Sequence, residues 1–452
     1  MQMGTGAGKT VCAGDIAHRL FHQLQDRHRQ TRIQEHVLYL VHRRELLDQT
    51  SKTLEEFGLG GQIGHILSGR APKPWCPLQV ASVQTLAKRI DKLPWLRPLM
   101  LIIDECHHTR AKTWEFIVAS FPHARILGMT ATPARLDGKG LGALFDHLIE
   151  GPPVKELISV GALCDLELYG IKTGVDLKGV HKRMGEFNQS ELDTAVTGPV
   201  VASTISNWQR LAADRRTIHY SVSRRHSREI VERAKAVGVA AEHVDGDMPK
   251  PERKAIFGRF AAGVTQFVSN VDLITEGFDA PECDCVIIKP TYSLTLFLQM
   301  VGRVMRPKHD GRRGIVLDVG GNIGERHGDP RDPYHWTLES GVEIEEFKSK
   351  RKAVRVCGNC SFVFPSRKDE CPLCGWEVKR KTASEVDVDL VALDGDAVRK
   401  KQKKKKKKMT GRKLNSLIMD TGGDKIKLME LAKAHGYSAE VWRVWRLRFE
   451  KY

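Results

Sequence analysis

The stretch Met100-Leu101-Ile102-Ile103-Asp104-Glu105-Cys106-His107 decides the reading of this chain. Four apolar residues without alternation form a strand buried on both faces, as in a parallel sheet covered by helices. Similar runs lie around it: Val37-Leu38-Tyr39-Leu40-Val41, a short candidate at Gln79 to Ser82, and Ile126-Leu127-Gly128-Met129. Helical spacing over Val11 to Leu24 and over Arg44 to Phe57 separates these runs. Residues 1–155 are therefore expected to be an α/β domain whose ligands bind at the carboxyl ends of the strands.

Asp104 and Glu105 stand at such an end. One acid there can hold the Mg²⁺ that bridges nucleotide phosphates, and a second can polarise an attacking water. A solvated strand end is the bland alternative, but Gly4-Thr5-Gly6-Ala7-Gly8-Lys9-Thr10 lies upstream. A Gly-Lys-Thr ending of this kind wraps backbone N–H groups around phosphates, with Lys9 on the terminal phosphates and the Thr10 hydroxyl on Mg²⁺. Met3 stands where the usual pattern has its first Gly, and only Met1, Gln2 and Met3 precede the loop, where a strand is needed.

A second α/β unit, over 156–345, has strand candidates at Thr217 to Val222, Gln266 to Val268, Val286 to Ile288 and Ile315 to Leu317. Helical patterns over Arg224 to Val237 and Glu252 to Ala262 lie between them. It lacks a phosphate loop. It carries Thr275-Glu276-Gly277-Phe278-Asp279, then Gln299-Met300-Val301-Gly302-Arg303-Val304-Met305-Arg306. On a helix Gln299, Arg303 and Arg306 would share one face, and two guanidiniums there can reach a phosphate across a cleft. In isolation this would be an ordinary basic helix face.

In order, these segments resemble those of superfamily 2 helicases of the DExH kind, over residues 4–306. Gly4 to Thr10 resembles motif I, His42-Arg43-Arg44-Glu45-Leu46 motif Ia, and Ser82-Val83-Gln84-Thr85-Leu86 the next nucleic-acid contact segment. Asp104 to His107 matches motif II, Thr130-Ala131-Thr132 motif III, Thr275 to Asp279 motif V and Gln299 to Arg306 motif VI, with the weakest, motif IV, near His219 to Arg225. The resemblance implies two RecA-like domains with ATP between them. It implies phosphate and Mg²⁺ binding by the loop, Lys9, Thr10 and Asp104, with Gly277 and Asp279 also on the nucleotide side. Glu105 would be the general base, Gln299 would help place the water, and Arg303 and Arg306 would stabilise transition-state charge. His107, Thr130 and Thr132 would couple nucleotide to nucleic acid, and Arg43, Thr85 and Thr275 would lie near its backbone. The family also has a strand before the loop and, upstream, an adenine-contacting segment that often includes a Gln. Neither fits into three residues, so the expectation is a sequence cut short, or else poor nucleotide affinity and fold stability.

Hydrophobic content of 41% is enough for real cores, and no apolar run reaches the length of a membrane span. With no secretory leader at the N-terminus, a cytoplasmic protein free of membrane contact is expected. Net charge is +17, nine units of it from Arg399 to Lys408, and the excess favours a polyanionic partner. Six cysteines (Cys12, Cys76, Cys106, Cys164, Cys283, Cys285) read as reduced thiols. The others form Cys357-Gly-Asn-Cys360 and Cys371-Pro-Leu-Cys374, two knuckles ten residues apart that suit a structural Zn²⁺ in a zinc ribbon over 350–380. Arg351, Arg355, Arg367 and Lys368 flank it, so the ribbon could touch nucleic acid or simply cap the second domain. Residues 381–410 read as a basic linker without apolar periodicity, its lysines a phosphate clamp or a solubilising tether. In the helical segment 411–452, Trp442, Trp445 and Phe449 form a stripe read as packing.

Two functional readings follow. One is an ATP-driven helicase or translocase, acting as a monomer and gripping phosphates without sequence preference. DNA is favoured over RNA because Asp-Glu-Cys-His and Gln299 differ from the usual RNA-unwinding type. The other is an ATPase-defective nucleic-acid-binding protein. No nuclease constellation is present, which leaves room for a nuclease or a replication or repair factor as protein partner.

Overall fold

The computed structural model describes residues 1–42, 44–108, 111–133, 140–171, 173–183, 185–273, 282–308, 310–339, 341–342 and 353–378. Arg43, Thr275, Gly277, Asp279 and Arg351, and the expected linker and C-terminal helical segment, lie outside the described residues.

The first lobe is a parallel sheet built from β1 (His36–Val41), β2 (Ile63–Ile66), β3 (Leu78–Ser82), β4 (Pro98–Asp104) and β5 (Arg125–Met129), in the order β2-β3-β1-β4-β5. Every residue of β1 is buried, as an unalternating run in a doubly covered sheet should be. The pleat sends alternate side chains to opposite faces. Val37, Tyr39 and Val41 pack with Ala13, Ala17 and Phe21 of the Lys9–Thr31 helix. Leu38 and Leu40 pack with Trp114 and Ile117 on the other side.

Met1 to Met3 run beside the end of β5. Gln2 makes parallel bridges to Thr130 on one side and Glu150 on the other. Met3 N donates to Thr130 O at 3.0 Å and Gly151 N to Gln2 O at 2.8 Å. The backbone leading into the phosphate loop is thus held from both sides.

The second lobe is also parallel. It comprises β6 (Leu166–Gly170), β7 (Thr217–Tyr220), β8 (Ala241–Val244), β9 (Phe267–Asn270), β10 (Cys285–Ile288) and β11 (Gly314–Asp318), in the order β8-β9-β7-β10-β11-β6. Buried clusters again cover both faces, one around Ile218, Tyr220, Val286 and Phe297, the other around Trp208, Phe267 and Ile287. Two RecA-like lobes in tandem are the fold that the sequence predicted.

A small antiparallel pair, β12 (Val354–Val356) and β13 (Val363–Pro365), carries the cysteine knuckles. It is docked on the free edge of β6: Gly170 N donates to Ser361 O at 3.0 Å, and the Tyr169 and Phe362 rings meet edge to face at 5.6 Å. Val354, Val356 and Val363 join the second lobe's core. Of the two roles weighed for the ribbon, capping the second lobe is what its contacts accomplish, since an exposed sheet edge is otherwise a template for unwanted pairing. Among the described residues no helix is long and apolar enough to cross a membrane.

Candidate active site

The phosphate loop, the end of β4 and the segment after the Leu294–Gly302 helix converge on one cleft of about 350 Å³. Thr5, Gly6, Gly8, Lys9, Thr10, Asp104 and Glu105 line it from the first lobe, Arg303 and Arg306 from the second. Gly6 and Gly8 have φ of 83° and 86°, a left-handed backbone that favours glycine, and Gly8 caps the helix that starts at Lys9. Backbone N–H groups at that helix start form an anion site without further assistance.

Glu105 also has a positive φ, 47°, and its carboxylate lies 3.8 Å from Lys9 Nζ and 3.3 Å from His107 Nδ1. Asp104 is buried. Loss of solvent, then the charge of Glu105, push its carboxyl up to about 7, opposed by the ammonium of Lys9. Two adjacent acids and a hydroxyl make a hard-oxygen donor set, the kind Mg²⁺ takes beside phosphates.

A buried chain of hydrogen bonds leaves this cleft and crosses between the lobes. Gln299 Nε2 lies 3.2 Å from His107 Nε2, and His107 Nδ1 lies 2.8 Å from Thr130 Oγ1. The Gln amide nitrogen can only donate, so His107 Nε2 accepts and Nδ1 carries the proton. Thr130 Oγ1 then donates to Thr132 O at 2.8 Å and accepts from Thr132 N at 3.0 Å. Four residues singled out in the sequence are in this way joined head to tail.

The expected single helical face for Gln299, Arg303 and Arg306 is corrected. The helix ends at Gly302; Arg303 is its cap and Arg306 lies beyond. Pro307 keeps Arg306 out of a helix, because its ring disfavours helical backbone at the residue before it. Both arginines still line the cleft, Arg303 in hydrogen-bond contact with Tyr220 at the end of β7. Gly302 approaches the phosphate loop so closely that a Cβ there would lie 2.3 Å from Thr5 Cβ.

Sequence reasoning passed over the far wall. Leu46, Gln49, Thr50 and Thr53 of the Arg44–Leu54 helix line the cleft at i, i+3, i+4 and i+7, one leucine and three polar residues on a face that helical spacing reveals. Thr85 lies away from the cleft, just after β3, where Gln84 Nε2 reaches back to His42 O at 3.2 Å. Motif IV, placed weakly near His219 to Arg225, proves largely internal: His219 is buried against Ser221 and Ser269 at 3.0 and 3.1 Å.

The four ribbon sulfurs all lie within 4.8 Å of one another, with Cys357–Cys374 and Cys360–Cys371 separations of 3.7 Å. Tetrahedral Zn–S bonds of about 2.3 Å place sulfurs roughly 3.8 Å apart. Asn359 N and Cys360 N donate to Cys357 Sγ at 3.4 and 3.5 Å. The donor set fits zinc. Cys106 and Cys283 are the opposite case, buried thiols pushed up to about 12 and inert, as small core residues are.

Comparison with known proteins agrees with this geometry. Residues 1–135 match the family model described as type III restriction enzyme, res subunit, and residues 202–308 match the helicase conserved C-terminal domain. A 51.5 kDa protein of a Lactococcus phage is 30% identical over 400 residues, covering 86% of this chain and 82% of that protein. This chain belongs to the superfamily 2 helicases. These are ATP-dependent enzymes that act on nucleic acid. The "Putative ATP-dependent helicase IRC3" of Saccharomyces cerevisiae is 28% identical over 70% of the present helicase and 48% of its own length. The "Putative mitochondrial ATP-dependent helicase irc3" of Schizosaccharomyces pombe is 27% identical over 70% and 54%. The chain thus spans about half the length of the two yeast relatives.

Proposed function

We propose that this helicase hydrolyses ATP with Mg²⁺ to move along, or unwind, DNA without sequence preference. The observation that carries the reading is the convergence, in one cleft, of Lys9, Asp104 and Glu105 from the first lobe with Arg303 and Arg306 from the second. The phosphate loop Gly4 to Thr10 and Lys9 hold the nucleotide phosphates, and Asp104 with Thr10 would hold Mg²⁺, which supplies Lewis-acid neutralisation of phosphate charge. Glu105 accepts the proton of the attacking water, and Gln299 helps place that water. Arg303 and Arg306 gain a phosphate partner when the lobes close, and positioned arginines of this kind contribute about 10³–10⁵ in rate. Hydrolysis removes that partner, the cleft opens, and the Gln299–His107–Thr130–Thr132 chain carries the change toward the strand ends.

Arg43, Thr85 and Thr275 are assigned to the nucleic-acid backbone, Gly277 and Asp279 to the nucleotide side. Zn²⁺ on Cys357, Cys360, Cys371 and Cys374 would be structural, all four positions being filled by thiolates. A monomer is expected, with a nuclease or a replication or repair factor as partner. The test is ATP turnover with and without single-stranded DNA, then RNA, beside Lys9→Ala. DNA-stimulated turnover that Lys9→Ala abolishes supports the reading. Nucleic-acid binding without turnover in the unmutated chain would overturn it in favour of an ATPase-defective binder, and stimulation by RNA alone would reverse the substrate.

A further inference from the structure

After the last strand of the second lobe the chain turns back and packs on the first. Trp336 is buried against Leu294, Leu298 and Tyr334 of the second lobe and against Leu148 of the first. Two residues later Leu338 joins the first lobe's hydrophobic cluster, beside Leu141, Leu144 and Phe145. Its carbonyl accepts from Gly142 N at 2.8 Å. A Cβ on Gly140 would sit 2.0 Å from that same oxygen, so backbone meets backbone here. Lys155, between the lobes in sequence, pairs with Asp332 at the start of the segment.

The contacts of the Leu294–Gly302 helix give this strap its meaning. Phe297, Met300 and Val301 are buried in the second lobe's own core. Leu294, Leu298 and Gly302 recur every four residues and form a different stripe. Leu294 and Leu298 meet Trp336, while Gly302 meets Thr5 of the phosphate loop. The helix that carries Gln299 and delivers Arg303 therefore meets the first lobe at the strap and at the phosphate loop, as well as through Gln299 itself on His107.

We propose that Trp336 is a positioning residue for the helicase's ATP hydrolysis. Wedged between Leu148 and the Leu294–Leu298 stripe, it fixes the motif VI helix so that Gln299 meets His107 and Arg303 faces the phosphate loop. It touches no reacting group and acts through the helix. This rests on the ATPase reading above. Lys9 and the phosphate loop, which take most of the nucleotide's phosphate contacts, belong to the first lobe, so losing the wedge weakens turnover more than binding.

The full-length chain decides it. Trp336→Ala is expected to lower DNA-stimulated kcat at least about tenfold while the KM for ATP changes less than about threefold. Trp336→Phe, which keeps an aromatic wedge, should return kcat to within about threefold. Leu148→Ala, on the opposite side of the same contact, should reproduce the split. Hydrogen exchange serves as a second readout, independent of activity. In Trp336→Ala the amides of Leu294–Gly302 and of residues 140–148 should exchange faster together, while those of β1 and β7 keep their protection. Unchanged kcat in a folded Trp336→Ala protein, or faster exchange on only one side of the wedge, overturns the proposal. If the unmutated chain has no turnover, the ATPase reading falls and the exchange experiment still decides whether the wedge joins the two lobes.

Discussion

Gly302→Ala puts the geometry of the cleft under the most direct strain. The added Cβ would lie 2.3 Å from Thr5 Cβ and 2.6 Å from Thr5 Cγ2. Carbon atoms in contact sit about 3.5–4.0 Å apart, so the two segments must separate by roughly 1.2–1.7 Å. Both Cβ atoms are fixed to the main chain, and no rotamer change can relieve the overlap. The helix end has to recede, taking Arg303 and Arg306 away from the phosphate loop. A displacement of about 1 Å in such a site costs on the order of 10²-fold, which is about 2.7 kcal/mol in activation free energy. We expect DNA-stimulated kcat to fall about 100-fold. Overpacking of this kind typically costs about 1–3 kcal/mol, partly offset by up to about 1 kcal/mol from alanine's better helix propensity, so the thermal unfolding temperature should fall only modestly. Steady-state ATPase assays beside thermal unfolding read both effects. Thr5→Gly removes the opposing Cβ, and the Thr5→Gly/Gly302→Ala double variant should regain part of the loss. Turnover within about threefold of the unmutated enzyme would refute the argument, as would a double variant that regains none of the loss.

Further expectations test other parts of the molecule. His107→Ala cuts the chain between Gln299 and Thr130; it should suppress stimulation by nucleic acid at least about tenfold while leaving Lys9-dependent basal turnover, measured by titrating single-stranded DNA into the ATPase assay. Metal analysis of the purified chain should find one zinc. Cys371→Ser should lose it and expose the edge of β6, lowering the unfolding temperature and promoting aggregation seen by light scattering. His226 is buried and its imidazole is held down to about 4, chiefly by loss of solvent and then by the charge of Arg225. A depressed histidine contributes stability above its unfolded value of about 6.5 and loses it as pH falls toward 4. Urea unfolding at pH 5 should therefore show about 2 kcal/mol less from this group than at pH 7, and His226→Gln should flatten that slope.

The chemistry-bearing residues were legible because each sits in a short local pattern. Lys9 closes a glycine loop, Asp104 and Glu105 end a buried strand, and the ribbon cysteines come in two tight pairs. Long apolar strands such as His36–Val41 and Pro98–Asp104 were legible for the same reason. Ile63–Ile66, Leu166–Gly170 and Ala241–Val244 were passed over. All three are short, with partly exposed residues, and lie at sheet edges, where one neighbour supplies most of the pairing. Local propensity is weak there, and the partner strand decides.

The sequence, with the family resemblance its motifs carry, determined two RecA-like lobes, the identity of the acids, the lysine and the arginines at the cleft, and two cysteine pairs after the second lobe spaced to suit zinc. Periodicity and motif spacing carry that information, because they depend on residues close together in the chain. The tertiary structure decided how the parts are joined. Gln299 meets His107 across 192 positions, Gly302 touches Thr5, Trp336 lies against Leu148, and the ribbon closes the edge of β6. Each of these contacts depends on two surfaces packing together after they have folded. No local signal encodes such a fit, and these are the contacts that turn two sheets into one enzyme.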